Sequence, residues 1–300
     1  MDGRDHRTDR RLRAAVRRAL QRTGWDVRGL GDRAWVVRHS TSRHRVVPIG
    51  GDALRATLVW DRRRVRARPA RLQQRLAQVA QRELVMWVLR AGEVDCVVDA
   101  GANTGQFAQG LRRAGYRGRI VSFEPVRSAY DGLAAAARDD DAWWVRHCGL
   151  GSSDGTATIH AMRGTMSSLL PPSDFGREWA AGLRNMTSEE VTIRRLDGLM
   201  PEILDGLDAG RVYLKMDTQG YDLEVVQGAG EALDRVVALQ AELSCVPIYD
   251  GMTRLPEQWV ALEAAGFESA GVFPVSFDHE TVRAIEYDVV MVRAREMRGL

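Results

Sequence analysis

Apolar positions recur with two periods along this chain, and the change from one to the other marks its organisation. In RRLRAAVRRALQRTG, residues 10–24, Leu12, Val16 and Leu20 fall four apart ahead of a glycine, which predicts a short amphipathic helix. Between Trp25 and Trp60 the runs AWVVRH, RVVPIG and ATLVW are broken by glycine and proline, which predicts a small accessory sheet or cap. A long helix is predicted over residues 69–92, PARLQQRLAQVAQRELVMWVLRAG, with proline at its start and glycine at its end. From there strand-like runs alternate with helical stretches, without internal repeats, which is the pattern of an α/β sheet. The expected division is an appendage over residues 1–70 and a main domain over 71–300.

The first strand of the main domain, VDCVVDAGANTGQF, is apolar over 94–98 apart from Asp95 and ends in Asp99. A turn, Gly101-Ala102-Asn103-Thr104-Gly105, then opens a helix at about Gln106. Glycines let a turn pass close to a ligand, and a helix N-terminus presents free N–H groups. The spacing D-x-G-x-x-x-G is not the dinucleotide fingerprint. An acid ahead of the turn sits badly beside a pyrophosphate and suits a cationic ligand, such as an amino group. The next strand, GRIVSFEP (118–125), ends in Glu124, where an acid accepts hydrogen bonds from the two hydroxyls of a ribose. A helix N-cap carboxylate would sit at the same position. Asp99 and Glu124 about one glycine turn favour a nucleoside with a positive charge and no phosphate, and S-adenosylmethionine fits.

Composition changes how the later strand VYLKMDT is read. Of the 43 basic residues, Lys215 is the only lysine. A chain that uses arginine everywhere else has an exception at one strand end. With a side-chain period of two, Lys215 and Asp217 share a face and Leu214 and Met216 the other. The following strand, VVALQAELSCVP, brings Glu242 to the same level, so the three are expected to converge. Lysine offers a compact ammonium whose pKa can fall on burial, which arginine does not. The plainer alternative is a buried ion pair joining two strands, which is costly to desolvate and weak evidence for stability.

Charge is uneven. Basic residues crowd the first 75 positions, where glutamate is absent, and the remainder is acidic overall. Such a front could meet nucleic acid or an anionic membrane surface. Its arginines lack the aromatic interleaving of single-strand binders, so a solvated face is favoured and nucleic acid is not an expected partner. Cys96, Cys148 and Cys245 lie in apolar runs without metal-type spacing, which predicts buried thiols in a reducing compartment. No apolar run reaches the length of a membrane span and the start lacks a signal-peptide core, so the expected location is the cytoplasm. Trp25, Trp35 and Trp60 in the appendage suggest a partner surface, such as one for a second copy of the chain.

The blocks VVDAGANTGQFA, IVSFEP, SSLLPP, LKMDTQGYDLEVVQGAG, LQAELSCVPIYDGM and GVFPVSFD…IEYDVVMVRA together resemble the FkbM-type family of S-adenosylmethionine-dependent methyltransferases. The resemblance runs in order over about residues 75–294, with KMDTQGYDLEVVQGA its most specific part. It implies a class I methyltransferase fold, Rossmann-like α/β, with a seven-stranded sheet whose last strand is antiparallel and helices on both faces. It also implies methylation of a hydroxyl on a sugar, glycolipid or polyketide-type metabolite. Carried over by position, Asp99, Gly101, Asn103, Thr104, Gly105 and Gln106 would surround the methionine moiety, and Glu124 with Pro125 the ribose. His147, Cys148 and Gly149, at the end of the strand WWVRHCGLGSSDG (143–155), would lie beside the adenine. Asp217 borders both cofactor and acceptor. Ser167, Ser168 and Leu169 would lie over the site, in a segment of about sixty residues that reads as a lid or binding loop. Gln219, Tyr221, Tyr249 and Met252 would complete the acceptor wall.

Methyl transfer to a hydroxyl needs alignment, a proton acceptor and exclusion of water. In one mechanism Asp217 or Glu242 is the general base and Lys215 orients it or the hydroxyl. In the other Asp217 and Glu242 hold a divalent ion such as Mg²⁺. Two protein oxygens are few for such an ion, so the metal-free version is preferred. A nucleic-acid methyltransferase guided by the basic front and a non-catalytic cofactor-binding scaffold are the competing functions.

Overall fold

A computed structural model describes residues 69–162, 164–278 and 280–297 and, before them, 25–29, 35–39, 41–42, 44–49 and 56–61. Contacts divide the chain into Met1–Leu72 and Gln73–Leu300. In the first unit β1 (Trp25–Gly29) pairs with β2 (Trp35–His39) and β3 (His44–Ile49) with β4 (Ala56–Asp61). Among the described residues these are two separate antiparallel hairpins and not one accessory sheet. The helix expected over 10–24, and much of the basic front, lie outside the described residues.

Helix α1 (Pro69–Ala91) leads into alternating β5 (Cys96–Ala100), α2 (Gln106–Ala114), β6 (Arg119–Phe123), α3 (Arg127–Ala137) and β7 (Trp143–Arg146). After an inserted region come α5 (Leu196–Leu204), β11 (Val212–Met216), α6 (Asp222–Ala229), β12 (Val236–Ser244), α7 (Leu255–Ala264), β13 (Glu268–Phe277) and β14 (Ala284–Val292). The seven strands pair in the order β13-β14-β12-β11-β5-β6-β7, and only β14 runs against the others. This is the class I methyltransferase architecture, including its antiparallel last strand. Strands β5, β11 and β12 are buried at every position, as parallel strands covered on both faces must be. Val98, Leu214, Met216 and Leu239 pack on one face with α5, α6 and α7. Val97, Tyr213, Ala238 and Val290 pack on the other with α1, α2 and α3. The alternation therefore turns Asp99, Lys215 and Asp217 toward the face that α1 and α2 cover.

Two expectations are corrected here. The strand read over 143–155 ends at Arg146, and Gly149–Leu150 forms β8 of a different sheet, paired with Ile193 and Arg194. The long segment read as a loop is largely folded: β9 (Gly155–Ala161) and β10 (Thr187–Arg194) complete that sheet in the order β8-β10-β9, and α4 (Asp174–Trp179) lies between them. Ser173 caps α4, its Oγ accepting the Gly176 N–H at 3.0 Å. Trp179 stacks on Phe175 at 6.5 Å. Cys96 and Cys148 are buried and Cys245 half-buried, all as free thiols. Among the described residues no helix is long and apolar enough to cross a membrane.

Candidate cofactor and acceptor site

The end of β5 is built for close approach. At Gly101 φ is 72°, and a Cβ there would stand 2.1 Å from the Asp217 carbonyl oxygen. No side chain fits, so the turn passes directly against the end of β11. The Gly101 and Ala102 N–H groups donate to Phe123 O at 3.1 and 3.0 Å, tying the turn to β6. Glu124 fixes its far side: Oε2 accepts the Asn103 N–H at 2.7 Å and Oε1 the Val126 N–H at 2.9 Å. Burial raises the Glu124 pKa, and the two amide bonds and Lys215 work against it. Each carboxylate oxygen has a second acceptor direction, so Glu124 can hold the turn and still receive a diol.

Lys215 and Asp99 form the floor. The β11–β5 ladder sets Lys215 directly opposite Asp99, and Nζ lies 3.1 Å from Asp99 Oδ1. It also donates to Gly101 O at 3.0 Å and lies 3.5 Å from Asp217 Oδ2. Burial works to lower the Lys215 pKa, but the Asp99 and Asp217 carboxylates outweigh it and the pKa is raised. That corrects the expectation of an ammonium softened by burial: this one is locked in its charged form. Arginine's planar five-donor fork has no place in a 4% exposed pocket matched to a three-donor ammonium. Asp99 is likewise relocated. It is fully buried, its oxygens taken by Lys215 and by the Ser122 hydroxyl at 3.2 Å, so it does not reach the cofactor side. The sequence reading put a ligand's cation beside it, and the strand register supplies the chain's own.

A cavity of about 830 Å³ opens above this floor. Gly101, Asn103, Thr104, Gln106, Glu124 and Pro125 line one end of it, together with Gly149. Gly105 does not, because it faces the Trp143 ring, which a Cβ would approach to 2.8 Å. His147 is exposed and stacks on Tyr130 at 4.6 Å, and Cys148 is buried in the core beneath, so neither lines the cavity. The glycine turn and Glu124 offer backbone amides, small hydroxyls and a carboxylate, which fits a ribose diol and a sulfonium; Arg75, Arg82 and Arg113 line the same cavity.

The acceptor end is organised by Gln219, a left-handed non-glycine residue with φ 54°. Its Nε2 donates to Glu242 Oε2 at 2.7 Å and Asp217 Oδ1 at 3.2 Å, and its Oε1 accepts the Tyr249 hydroxyl at 3.2 Å. The Ser168 hydroxyl donates to its carbonyl at 2.7 Å. Gln219, Ser168, Tyr249 and Met252 are therefore buried supports behind the wall, where an acceptor surface was expected. Ser167, Leu169 and Tyr221 do line the cavity. Of the converging trio, Lys215 and Asp217 face it and Glu242 does not. Burial, then Glu286, Asp217, Asp288 and Asp222, raise the Glu242 pKa far above the carboxylate range. The Gln219 side-chain amide bridges Asp217 and Glu242. Among the described residues no group of three or more His, Cys, Asp or Glu could hold a metal ion.

Sequence reasoning missed Asp288 on β14 and, on α1, Arg75, Gln78, Gln81 and Arg82, all of which line the cavity. A signal existed for Asp288, an acid within the otherwise apolar stretch DVVMV. Gln78 and Gln81 carried none, since polar residues on an amphipathic helix read as solvated.

The profile described as "Methyltransferase FkbM domain" matches residues 99–269. A curated relative, methyltransferase sdnD of Sordaria araneosa, is 31% identical over 156 residues, 45% of this chain; the match spans 60% of that relative. Among solved structures, Aeropyrum pernix fibrillarin with bound S-adenosyl-L-methionine aligns at 13% identity and TM-score 0.37, over 66% of each chain. NcsB1, an O-methyltransferase from neocarzinostatin biosynthesis, aligns at 12% and 0.36, over 67% of this chain and 50% of its own. Likenesses at that level say nothing of substrate.

Proposed function

Since the chain belongs to the FkbM methyltransferase family, we propose that it transfers a methyl group from S-adenosylmethionine to a hydroxyl of a sugar, glycoside or polyketide-type metabolite. The observation that carries this is the single cavity in which a glycine turn and Glu124 meet the carboxylate of Asp217. Bound there, S-adenosylmethionine supplies an electrophilic methyl group on sulfur. Glu124 receives the ribose hydroxyls, the turn amides lie along the amino-acid portion, and Gly149 leaves room for the base. Lys215, held by Asp99, keeps Asp217 in place at the junction of the two ends. A hydroxyl acceptor sheds its proton during transfer and must be oriented as it does so; Asp217 opens to the cavity and can orient the hydroxyl, and Glu242, which does not open to it, cannot serve as the base. Polar groups such as Gln78, Gln81 and Gln240 along the wall suit an acceptor rich in hydroxyls. The reaction proceeds in the cytoplasm without a metal.

Two measurements test this reading. Calorimetry is expected to show S-adenosylmethionine binding, and tight binding of NAD in its place would overturn the cofactor assignment. A panel of glycosides and macrolides, screened for the mass increase of one methyl group, is expected to give a product whose new methyl sits on oxygen. Turnover is expected to persist in EDTA; its loss would return the Asp217–Glu242 magnesium reading to consideration.

A further inference from the structure

Asp288 lines the cavity, and nothing above gives it a role. It lies opposite Glu242 in the β12–β14 ladder, on the face that carries Lys215, because its neighbours Val289 and Met291 pack with the opposite face. Unlike Glu242, it opens into the cavity. Its Oδ2 accepts the amide of Gln81 at 2.8 Å, so α1 pins it from above. Among the described residues its Oδ1 has no hydrogen-bond partner. Charged and titratable groups bear on it: Tyr213 and Lys215 on β11, Asp217 just after it, Asp222 at the start of α6, Glu242 on β12 and Glu286 on its own strand, while α1, which brings Gln81, also places Arg75 and Arg82 on the same cavity. Asp217 differs in its partners: the Lys215 ammonium lies 3.5 Å from its Oδ2 and the Gln219 amide donates to its Oδ1, so both of its oxygens are already engaged.

Resting on the reading that the acceptor is a hydroxyl, we propose that Asp288 takes the acceptor's proton, with Gln81 as its positioning residue and Asp217 held beside Lys215 to orient the acceptor. As the acceptor oxygen bonds to the methyl carbon, its O–H bond breaks toward Asp288 Oδ1, and the electron pair of the carbon–sulfur bond stays on sulfur. The charge ledger closes, with the sulfonium's positive charge ending as a proton on the carboxylate. Burial, and next the Asp217 charge, raise the Asp288 pKa to about 7, where a general base is most effective at neutral pH. Of the two carboxylates in this cavity, one has both oxygens engaged and the other has Oδ1 open, which suits the first to an electrostatic role and the second to proton transfer.

Carboxyl ¹³C NMR of the cofactor-free protein is expected to show two carboxyl groups titrating near pH 7, Asp288 and Glu286, of which Asp288→Asn removes one and Gln81→Ala, by deleting a bond to the charged form, moves that same one upward. In turnover with a hydroxyl acceptor, wild-type kcat/KM is expected to rise with pH through the same value. Asp288→Asn should lose that limb and on the order of 100- to 10,000-fold in rate, with S-adenosylmethionine affinity unchanged by calorimetry, which also shows that the variant is folded. Gln81→Ala should keep the limb at its shifted position with a loss of about tenfold. Asp288→Asn with near wild-type turnover, or with its pH limb intact, overturns the proposal and leaves the hydroxyl reading standing. A wild-type enzyme that methylates nitrogen or carbon and no hydroxyl overturns that reading, and this role with it, whatever the titration shows.

Discussion

The two ends of the cavity are made differently. The cofactor end comes mainly from one stretch of chain, β5 through the start of α3, joined by Gly149 of β8, and is held by backbone amides bonded to Glu124 and to Phe123 O. The acceptor end is gathered from α1, β11, β12, β14 and the folded insertion, and is held by side chains bonded to side chains: Gln219 to Glu242 and Asp217, Gln81 to Asp288. A backbone-built end tolerates side-chain change except where a carboxylate or a glycine closes it. An end built from interlocked side chains passes any change on to its neighbours.

Breaking the element common to both ends should have the largest effect. Lys215→Met leaves Asp99 buried and unpaired, and thermal or denaturant unfolding is expected to show a loss of about 3–5 kcal/mol. Lys215→Arg retains charge but not size, and turnover should fall about 100-fold through displacement of Asp217. Glu124→Ala should cost the cofactor end alone, weakening S-adenosylmethionine about 30- to 100-fold by calorimetry and leaving any acceptor affinity near its starting value. If Glu124→Ala disturbed both equally, the two ends would not be separable.

The acid side of the comparison can be read from pH. Burial first, and then neighbouring carboxylates, raise Asp222 to about 6 and Glu286 and Asp288 to about 7, with hydrogen bonds such as Ser276–Glu286 acting the other way. Groups raised in the folded state bind protons more tightly there than when unfolded. Their stabilisation is complete below the ordinary carboxylate pKa of about 4 and is lost as pH climbs through the folded values. Tm is therefore expected to fall between pH 5 and 7.5, and Glu286→Gln should flatten that slope. Tyr249→Phe removes one donor to Gln219 and should lower kcat by about fivefold with cofactor affinity constant. The smallest change is expected at the cofactor end: His147→Ala, outside the cavity, should alter S-adenosylmethionine affinity less than about twofold.

The same contrast governs what could be read in advance. The strand alternation, the glycine turn and Glu124 were legible because their meaning lies in spacings of a few residues. The seven-stranded sheet followed from the FkbM-type motifs and their order. Asp99 was misread because its partner, Lys215, is a neighbour only through the β5–β11 register. Glu242 was placed at the right level of the right strand, yet which side of the wall it occupies depends on Gln219 adopting a left-handed backbone. Asp288 acquires meaning only from its pairing across β12 and from a glutamine on a helix far upstream. The single lysine was a sound signal of constraint, but of a charge that must stay fixed, not of one that must move.

Helix α1 ends before the span matched by the family begins, and Asp288 follows the point where that span ends. A chimera that grafts residues 99–269 onto the flanks of another family member would carry the glycine turn, Glu124, Lys215 and Asp217 intact and leave Gln81 and Asp288 behind. Such a hybrid would inherit the methyl-donor half of this protein and the β11, β12 and insertion side of its acceptor wall, and would take the α1 and β14 side from its host.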